Sequence, residues 1–242
     1  MFSCAFKESV INKSNQQMIN FLKELVVLFC LFGTNLVHSK QTNIKDYNDA
    51  KDNYFWNKLY SAKGTSLYCN LKFDNGGVTN VENKKVKLTI EHAYAADWIA
   101  TANGCANRNA CDIDVYKFAE ADLHNLWPAH GSINSSRSDL PFAEIPDDAK
   151  GNKNNFKRFC SDYERMYAGG DLSPAVEPTN AVKGDIARSL LYMSDEYKLP
   201  LHGMKTMLFK WHKEDSVDEV EVWRNKEIFK LQGTCNTYIS EC

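Results

Sequence analysis

Apolar positions along the chain change period several times, and each change predicts an element. Ile44, Tyr47, Tyr54, Phe55 and Leu59 recur at roughly helical intervals, with Thr42 or Asn43 placed to cap and Gly64 to terminate, which predicts a packing helix over 44–62. Tyr68 to Phe73 alternates like a short strand and runs into Asp74-Asn75-Gly76-Gly77, a strong turn signal. Val86 to Ile90 alternates again and delivers the chain to Glu91-His92. Residues 100–118 lack a clean period. Asp122 to Pro128 predicts a further short strand, after which Gly131 turns the chain toward a segment where Asn134 enters a helix with Arg137 one turn away.

The downstream half reads differently. Residues 143–178 are mostly polar and irregular, with Gly169, Gly170, Pro174 and Pro178 marking loops. Order returns at Asn180: Ile186, Leu190, Met193 and Tyr197 form an amphipathic stripe that stops before Pro200. Met204, Met207, Leu208 and Trp211 repeat it, a pattern that belongs to a core rather than to a cofactor contact. Ser216-Val217-Asp218-Glu219 predicts a capping box for a third helix running toward Leu231, with Gly233 just past its end. Short strands followed by separate helices predict an α+β fold, not a parallel doubly wound sheet.

Length and composition fit one globular domain: 242 residues, 43% hydrophobic and 25% charged. A net charge of −2 excludes a global basic field, so a nucleic-acid partner would need a local basic patch. Residues 25–33 form a short apolar run after Lys23, followed by Val37-His38-Ser39, the layout of an export signal too short for a membrane span. The reading is a signal peptide over 1–39, with Met18 as an alternative start, and a mature domain over 40–242. Cleavage would leave Cys69, Cys105, Cys111, Cys160, Cys235 and Cys242, an even set that suggests three disulfides in an exported chain. Cys105 and Cys111 bracket Arg108 and are candidates to pair; the order of the rest stays open.

Chemistry gathers between Glu91 and Ser138. Adjacent strand residues point to opposite faces, so Glu91 and His92 share a site only where the strand ends, twists or bulges. The order strand, loop, strand, helix brings a carboxylate, an imidazole and the Asn134 amide within reach of one another. A hard cation such as Mg²⁺ needs only one or two protein oxygens beside water and phosphate, which Glu91 and Asn134 can supply. A zinc site would need more histidines in register.

These residues resemble the bacterial endonuclease I family of periplasmic and secreted nonspecific nucleases, whose core is a ββα-metal, or His-metal, finger. The matching pieces are Glu91-His92, Arg108 before Cys111, Glu120 through Leu126, Gly131 through Ser138, Gly184 through Arg188, Leu191-Tyr192-Met193, Trp223-Arg224-Asn225 and Gln232-Gly233. The resemblance covers most of residues 50–242. It departs at Ala95, where the family usually has proline, at Asp139, where Asn is frequent, and at Thr234 to Thr237.

The resemblance implies a ββα-metal core surrounded by helices in a single disulfide-bonded domain. By the same resemblance Glu91 and Asn134 hold one divalent metal, usually Mg²⁺ though another divalent cation is open. His92 activates water, Arg108 stabilises the scissile phosphate, and Glu120 is an acidic residue near the site. His124 and Asn125 are read as groups that orient neighbours, Arg137 as holding the active segment with a phosphate contact as the alternative, and Arg188 as a structural ion-pair partner. The implied protein is a secreted or periplasmic monomeric endonuclease without a membrane span, acting on DNA and, as an open second substrate, RNA, and leaving 5′-phosphate and 3′-hydroxyl ends. A base with an ordinary imidazole pKa predicts falling activity below about pH 6. Two rivals remain: an inactive secreted nucleic-acid-binding module, and a disulfide-stabilised structural or interaction protein.

Overall fold

In the computed structural model, which describes residues 40–170, 172–240 and 242, the expected first helix starts at Asp46, whose side chain accepts from the Asp49 amide. A single α-turn, α1 (Tyr47–Asp49), continues as a π-helical stretch over Ala50–Leu59 that buries Phe55 and Leu59. The export signal expected over 1–39 lies outside the described residues. β1 (Lys63–Thr65), β2 (Lys72–Asp74), β3 (Val78–Val81) and β4 (Lys84–Lys87) make an antiparallel sheet in that order. The turn expected at Asp74 to Gly77 joins β2 to β3, whereas only the end of the strand expected over 68–73 is extended.

The alternating run over 86–90 is broken at Leu88, whose amide bonds back to Gly77 while its side chain is buried. The break ends β4 and starts β5 (Thr89–His92), which leaves the first sheet. The aperiodic stretch that follows contains two seven-residue helices, α2 (Ala96–Ala102) and α3 (Asp114–Glu120), separated by a 3-10 turn at Arg108–Ala110. The chain returns as β6 (Leu126–Ala129), antiparallel to β5 with Glu91 opposite Trp127 and His92 opposite Leu126. Helix α4 (Gly131–Arg137) follows directly and completes a strand, strand, helix unit.

β6 is buried throughout, and its alternate residues serve two cores. Trp127 and Ala129 pack with Ile133, Ile186 and Leu190; Leu126 packs with Phe55, Leu59 and Ile228. At roughly 1.5–3 kcal/mol per buried large apolar side chain, this two-sided packing holds the strand far more firmly than four residues of pairing could.

β7 (Asn152–Lys153), β8 (Glu164–Met166) and β9 (Ala175–Glu177) form a third antiparallel sheet inside the segment that lacks sequence periodicity. The three expected downstream helices are α5 (Lys183–Tyr197), α6 (Lys205–Glu214) and α7 (Glu219–Gln232). The capping box sits two residues later than expected: Asp218 caps the Glu221 amide, and the Glu221 carboxylate reaches back to the Asp218 amide. Glu221 also takes two hydrogen bonds from Arg188 at 2.6 and 2.7 Å, tying α5 to the start of α7.

Disulfides join Cys69 to Cys160, Cys105 to Cys111 and Cys235 to Cys242. The architecture is thus α+β with three small antiparallel sheets and a helical downstream half. Among the described residues no helix is long and apolar enough to cross a membrane.

Candidate active site

The two-stranded sheet leaves one edge of β5 unpaired, and α4 covers it. Asn134 Nδ2 donates to the Ile90 carbonyl at 3.0 Å and Arg137 Nη1 to the His92 carbonyl at 2.9 Å. Those are alternate carbonyls of one strand, met by side chains three residues apart on one helix, a spacing that places both on the same face. A cleft of about 230 Å³ opens beside this junction, lined by Glu91, His92, Arg108 and Asn134 with Tyr47, Asp97 and Asp139. Because the cleft lies at the strand edge and β5 ends at His92, neighbouring residues of opposite faces can both border it.

Glu91 is buried, and its Oε1 accepts from Tyr68 Oη at 2.6 Å and Arg137 Nη1 at 3.0 Å. Burial raises its carboxyl pKa to about 7 against the opposing pull of Arg137 and of both hydrogen bonds. Both bonds fall on Oε1, so Oε2 is the carboxylate oxygen with lone pairs to spare. Tyr68 reaches this position with φ at 72°, a left-handed conformation that costs a non-glycine residue roughly 1–2 kcal/mol.

The amide of Asn134 has a defined orientation. Its nitrogen donates to a carbonyl, which can only accept, and Thr89 Oγ1 is also in reach of it at 3.1 Å. Its Oδ1 is thereby the atom left to the cleft. One carboxylate oxygen and one amide oxygen make a small hard donor set, suited to a cation that retains most of its water. No group of three or more His, Cys, Asp or Glu side chains suited to a metal occurs among the described residues.

His92 is 7% exposed, and its Nε2 lies 3.1 Å from the Glu120 carbonyl. A carbonyl accepts only, so Nε2 carries the proton and Nδ1 keeps a free lone pair. Burial, then the positive charge of Arg108, lower the imidazole pKa to about 3, with the Glu120 carbonyl opposing them. The ordinary value near 6.5 expected from sequence therefore does not hold in this setting, and the ring is neutral at pH 7. Tyr47 packs on it with ring centroids 5.1 Å apart.

Arg108 sits on the 3-10 turn inside the Cys105–Cys111 loop. Asp97 accepts from its amide at 2.8 Å, Glu120 Oε1 from its Nη2 at 2.8 Å, and its guanidinium lies 5.8 Å from the Tyr47 ring centroid. Its side chain is 38% exposed, enough to meet a ligand. Glu120 thus orients two cleft groups, one through its carboxylate and one through its carbonyl.

Glu91, His92, Arg108 and Asn134 all line the cleft, and Glu120 stands behind it. His124 and Asn125 do not line it. His124 is buried against Tyr192 with Nε2 on the Thr234 carbonyl, and Asn125 bonds both main-chain groups of Tyr94. Sequence reasoning missed Tyr47, Tyr68 and Asp97. Their partners lie 11 to 61 positions away in the chain, and no local spacing marks such contacts.

A sequence model for endonuclease I matches residues 14–242. An extracellular deoxyribonuclease of Aeromonas hydrophila is 29% identical over 217 residues, spanning 82% of this chain and 90% of the relative. Endonuclease-1 of Buchnera aphidicola subsp. Acyrthosiphon pisum is 28% identical, spanning 87% and 96%. An extracellular ribonuclease of Bacillus subtilis is 30% identical over 147 residues, spanning 53% of this chain and 46% of its own.

Proposed function

The chain belongs to the endonuclease I family, and from that premise we propose that it is an exported, divalent-cation-dependent nuclease that hydrolyses phosphodiester bonds without sequence preference. The observation that carries the reading is the convergence of a carboxylate, a neutral imidazole, an amide oxygen and a guanidinium on one cleft of about 230 Å³. Phosphodiester hydrolysis calls for a deprotonated water in line with the leaving oxygen and for positive charge where negative charge grows.

His92 takes the proton from water at Nδ1, while the Glu120 carbonyl holds the ring by Nε2. Burial keeps the imidazole in its neutral form, the state from which a base acts, while lowering its basicity. Arg108 presents a planar guanidinium to the scissile phosphate, fixed by Glu120 yet open on its outer side. Glu91 through Oε2 and Asn134 through Oδ1 would hold the cation, Mg²⁺ being the best match to two oxygen donors. When bound, that ion supplies positive charge for the phosphate and the leaving 3′ oxygen. Arg137 and Tyr68 keep Glu91 in place without occupying both of its oxygens. The products carry 5′-phosphate and 3′-hydroxyl ends.

Relatives named as extracellular or periplasmic deoxyribonucleases support DNA as substrate and export as the destination, which a signal over 1–39 would direct. Contacts to phosphate and sugar alone would not distinguish sequences, and the similarity to extracellular ribonucleases supports RNA as a second substrate. The chain is proposed to act as a monomer.

Plasmid DNA incubated with the oxidised mature protein in Mg²⁺, in EDTA, and beside a His92→Ala variant tests the reading. Nicking and linearisation only by wild type with the metal is expected. An intact plasmid, or equal cutting by His92→Ala, would overturn the proposal.

A further inference from the structure

We propose that the β7–β8 hairpin carries a second phosphate subsite, formed by Lys153 and Arg165, that grips the nucleic-acid backbone on the far side of α4 from the cleft. The inference rests on the nuclease reading and adds a place where the strand is held away from the reacting bond.

The hairpin is basic in a chain that is not. Residues 150–165 contain Lys150, Lys153, Lys157, Arg158 and Arg165 against Asp162 and Glu164, while the whole chain carries a net charge of −2. Lys153 and Arg165 are direct cross-strand partners, so their side chains leave the sheet on one face. Like charges directly opposite are ordinarily unfavourable. Here both approach the Tyr167 ring, Lys153 Nζ at 5.4 Å and the Arg165 guanidinium carbon at 4.6 Å from its centroid. The ring's negative face offsets part of the repulsion and holds two cations together. Tyr167 is itself fixed by Asn155, which donates to its hydroxyl at 2.9 Å.

Acidic neighbours do not quench the pair. Glu164 lies on the opposite face of β8 and accepts from Asn152 at 2.6 Å, and Asp162 accepts from Ser161 at 2.7 Å. Among the described residues neither Lys153 nor Arg165 has a carboxylate within ion-pair distance. Two adjacent cations, aligned by a ring and without a carboxylate partner among the described residues, match a ligand that brings its own negative charge.

The position says which ligand. Arg165 Nη1 donates to the Ser136 carbonyl on α4, whose neighbours Asn134 and Ser135 line the cleft. The width of one helix, about 10–12 Å, sets the scale of the span between the two places. At about 3.4 Å per nucleotide of one duplex strand, that is roughly three phosphates from the scissile bond. A strand that crosses α4 can engage both sites at once, whereas a lone phosphate or a mononucleotide cannot.

The test uses the full mature chain with the His92→Ala change, which prevents cleavage, and a duplex of about 20 base pairs. Binding is measured over a salt series for this protein alone and with Lys153→Ala, Lys153→Arg or Tyr167→Leu added. Lys153 is exposed and belongs to neither core, so Lys153→Ala should keep the thermal midpoint of its parent. Lys153→Ala is expected to weaken binding about fivefold near 0.1 M salt and to lower the slope of log affinity against log salt by about one unit. Lys153→Arg should restore both, and Tyr167→Leu should weaken binding by freeing the pair. Unchanged affinity and slope in Lys153→Ala would overturn the subsite while leaving the nuclease reading intact. Failure of the parent to bind nucleic acid, together with no cleavage by wild type, would overturn both.

Discussion

Arg137 Nη1 stands 3.0 Å from Glu91 Oε1, with both side chains buried, and the same nitrogen donates to the His92 carbonyl at 2.9 Å. One guanidinium therefore fixes the side chain of one cleft residue and the main chain of the next. Its Nη2 extends the grip to the Ala93 carbonyl at 2.8 Å, and Trp98 and Phe142 pack around it. Arg137→Met would strand a buried carboxylate and two carbonyls. A loss of about 3–5 kcal/mol in denaturant unfolding is expected. Arg137→Lys, a point charge without the planar fork, should recover part of that stability and little of the activity. A loss under about 1 kcal/mol would show that the pair does not hold the strand end.

Asn134 offers a test that charge alone would get wrong. A carboxylate is ordinarily the better ligand for a hard cation, yet Asn134→Asp removes the donor that Ile90 and Thr89 receive and sets a negative oxygen against a carbonyl. Nuclease activity at saturating Mg²⁺ is expected to fall about tenfold or more, since one such lost contact costs about 1–3 kcal/mol. Equal or higher activity would mean that the amide nitrogen does not set the orientation.

The disulfides should divide their effects. Closing the 91-residue separation between Cys69 and Cys160 restricts the unfolded chain by about 4.5 kcal/mol, against about 2 kcal/mol for the six-residue Cys105–Cys111 loop. Replacing the first pair by serines should produce the larger drop in thermal midpoint. Replacing the second should produce the larger drop in turnover, because Arg108 loses the loop that presents it. Calorimetry beside single-turnover kinetics on both variants decides the matter, and the reverse ranking would refute it.

His124 links acidity to stability. Its burial lowers the imidazole pKa from 6.5 to about 4, opposed by Asp122 and helped by Arg224. Below 6.5 the unfolded chain takes up a proton that the folded chain still refuses. The folded state is therefore fully favoured above about pH 6.5 and loses stability as pH falls toward 4, by about 3 kcal/mol in all. His124→Asn lacks this dependence. The stability difference between wild type and the variant should shrink by about that amount from pH 7 to pH 4, and a constant difference would remove His124 as the titrating group.

Much of the central unit could be read from the chain, and the reasons are local. Alternation before Glu91, the break at Gly131 and the one-turn spacing of Asn134 and Arg137 are properties of neighbouring residues, and they mark β5 and α4. The two-sheet division at Leu88 was hidden because an alternating pattern looks the same whether a strand continues or changes partner. Helices α2 and α3 escaped because seven residues span only two turns, too few for a period to show. β7 to β9 are three residues or shorter and draw their stability from packing and from the Cys69–Cys160 bridge. Tyr68 was legible only as a strand residue. Its left-handed backbone and its bond to Glu91 follow from how distant segments meet.

The loop ahead of β6 depends on partners made long after it. Gln232 accepts from the Leu123 amide and donates to Asp122, and Arg224 donates to the carbonyls of Leu123 and Leu126 while lying 3.8 Å from the Trp127 ring centroid. These contacts reach across 97 to 110 positions. A ribosome has therefore released Glu91, His92, Arg108 and Asn134 well before it adds the residues that clamp the strand opposite them. The strand opposite Glu91 and His92 therefore takes anchoring contacts from α7, near the far end of the chain.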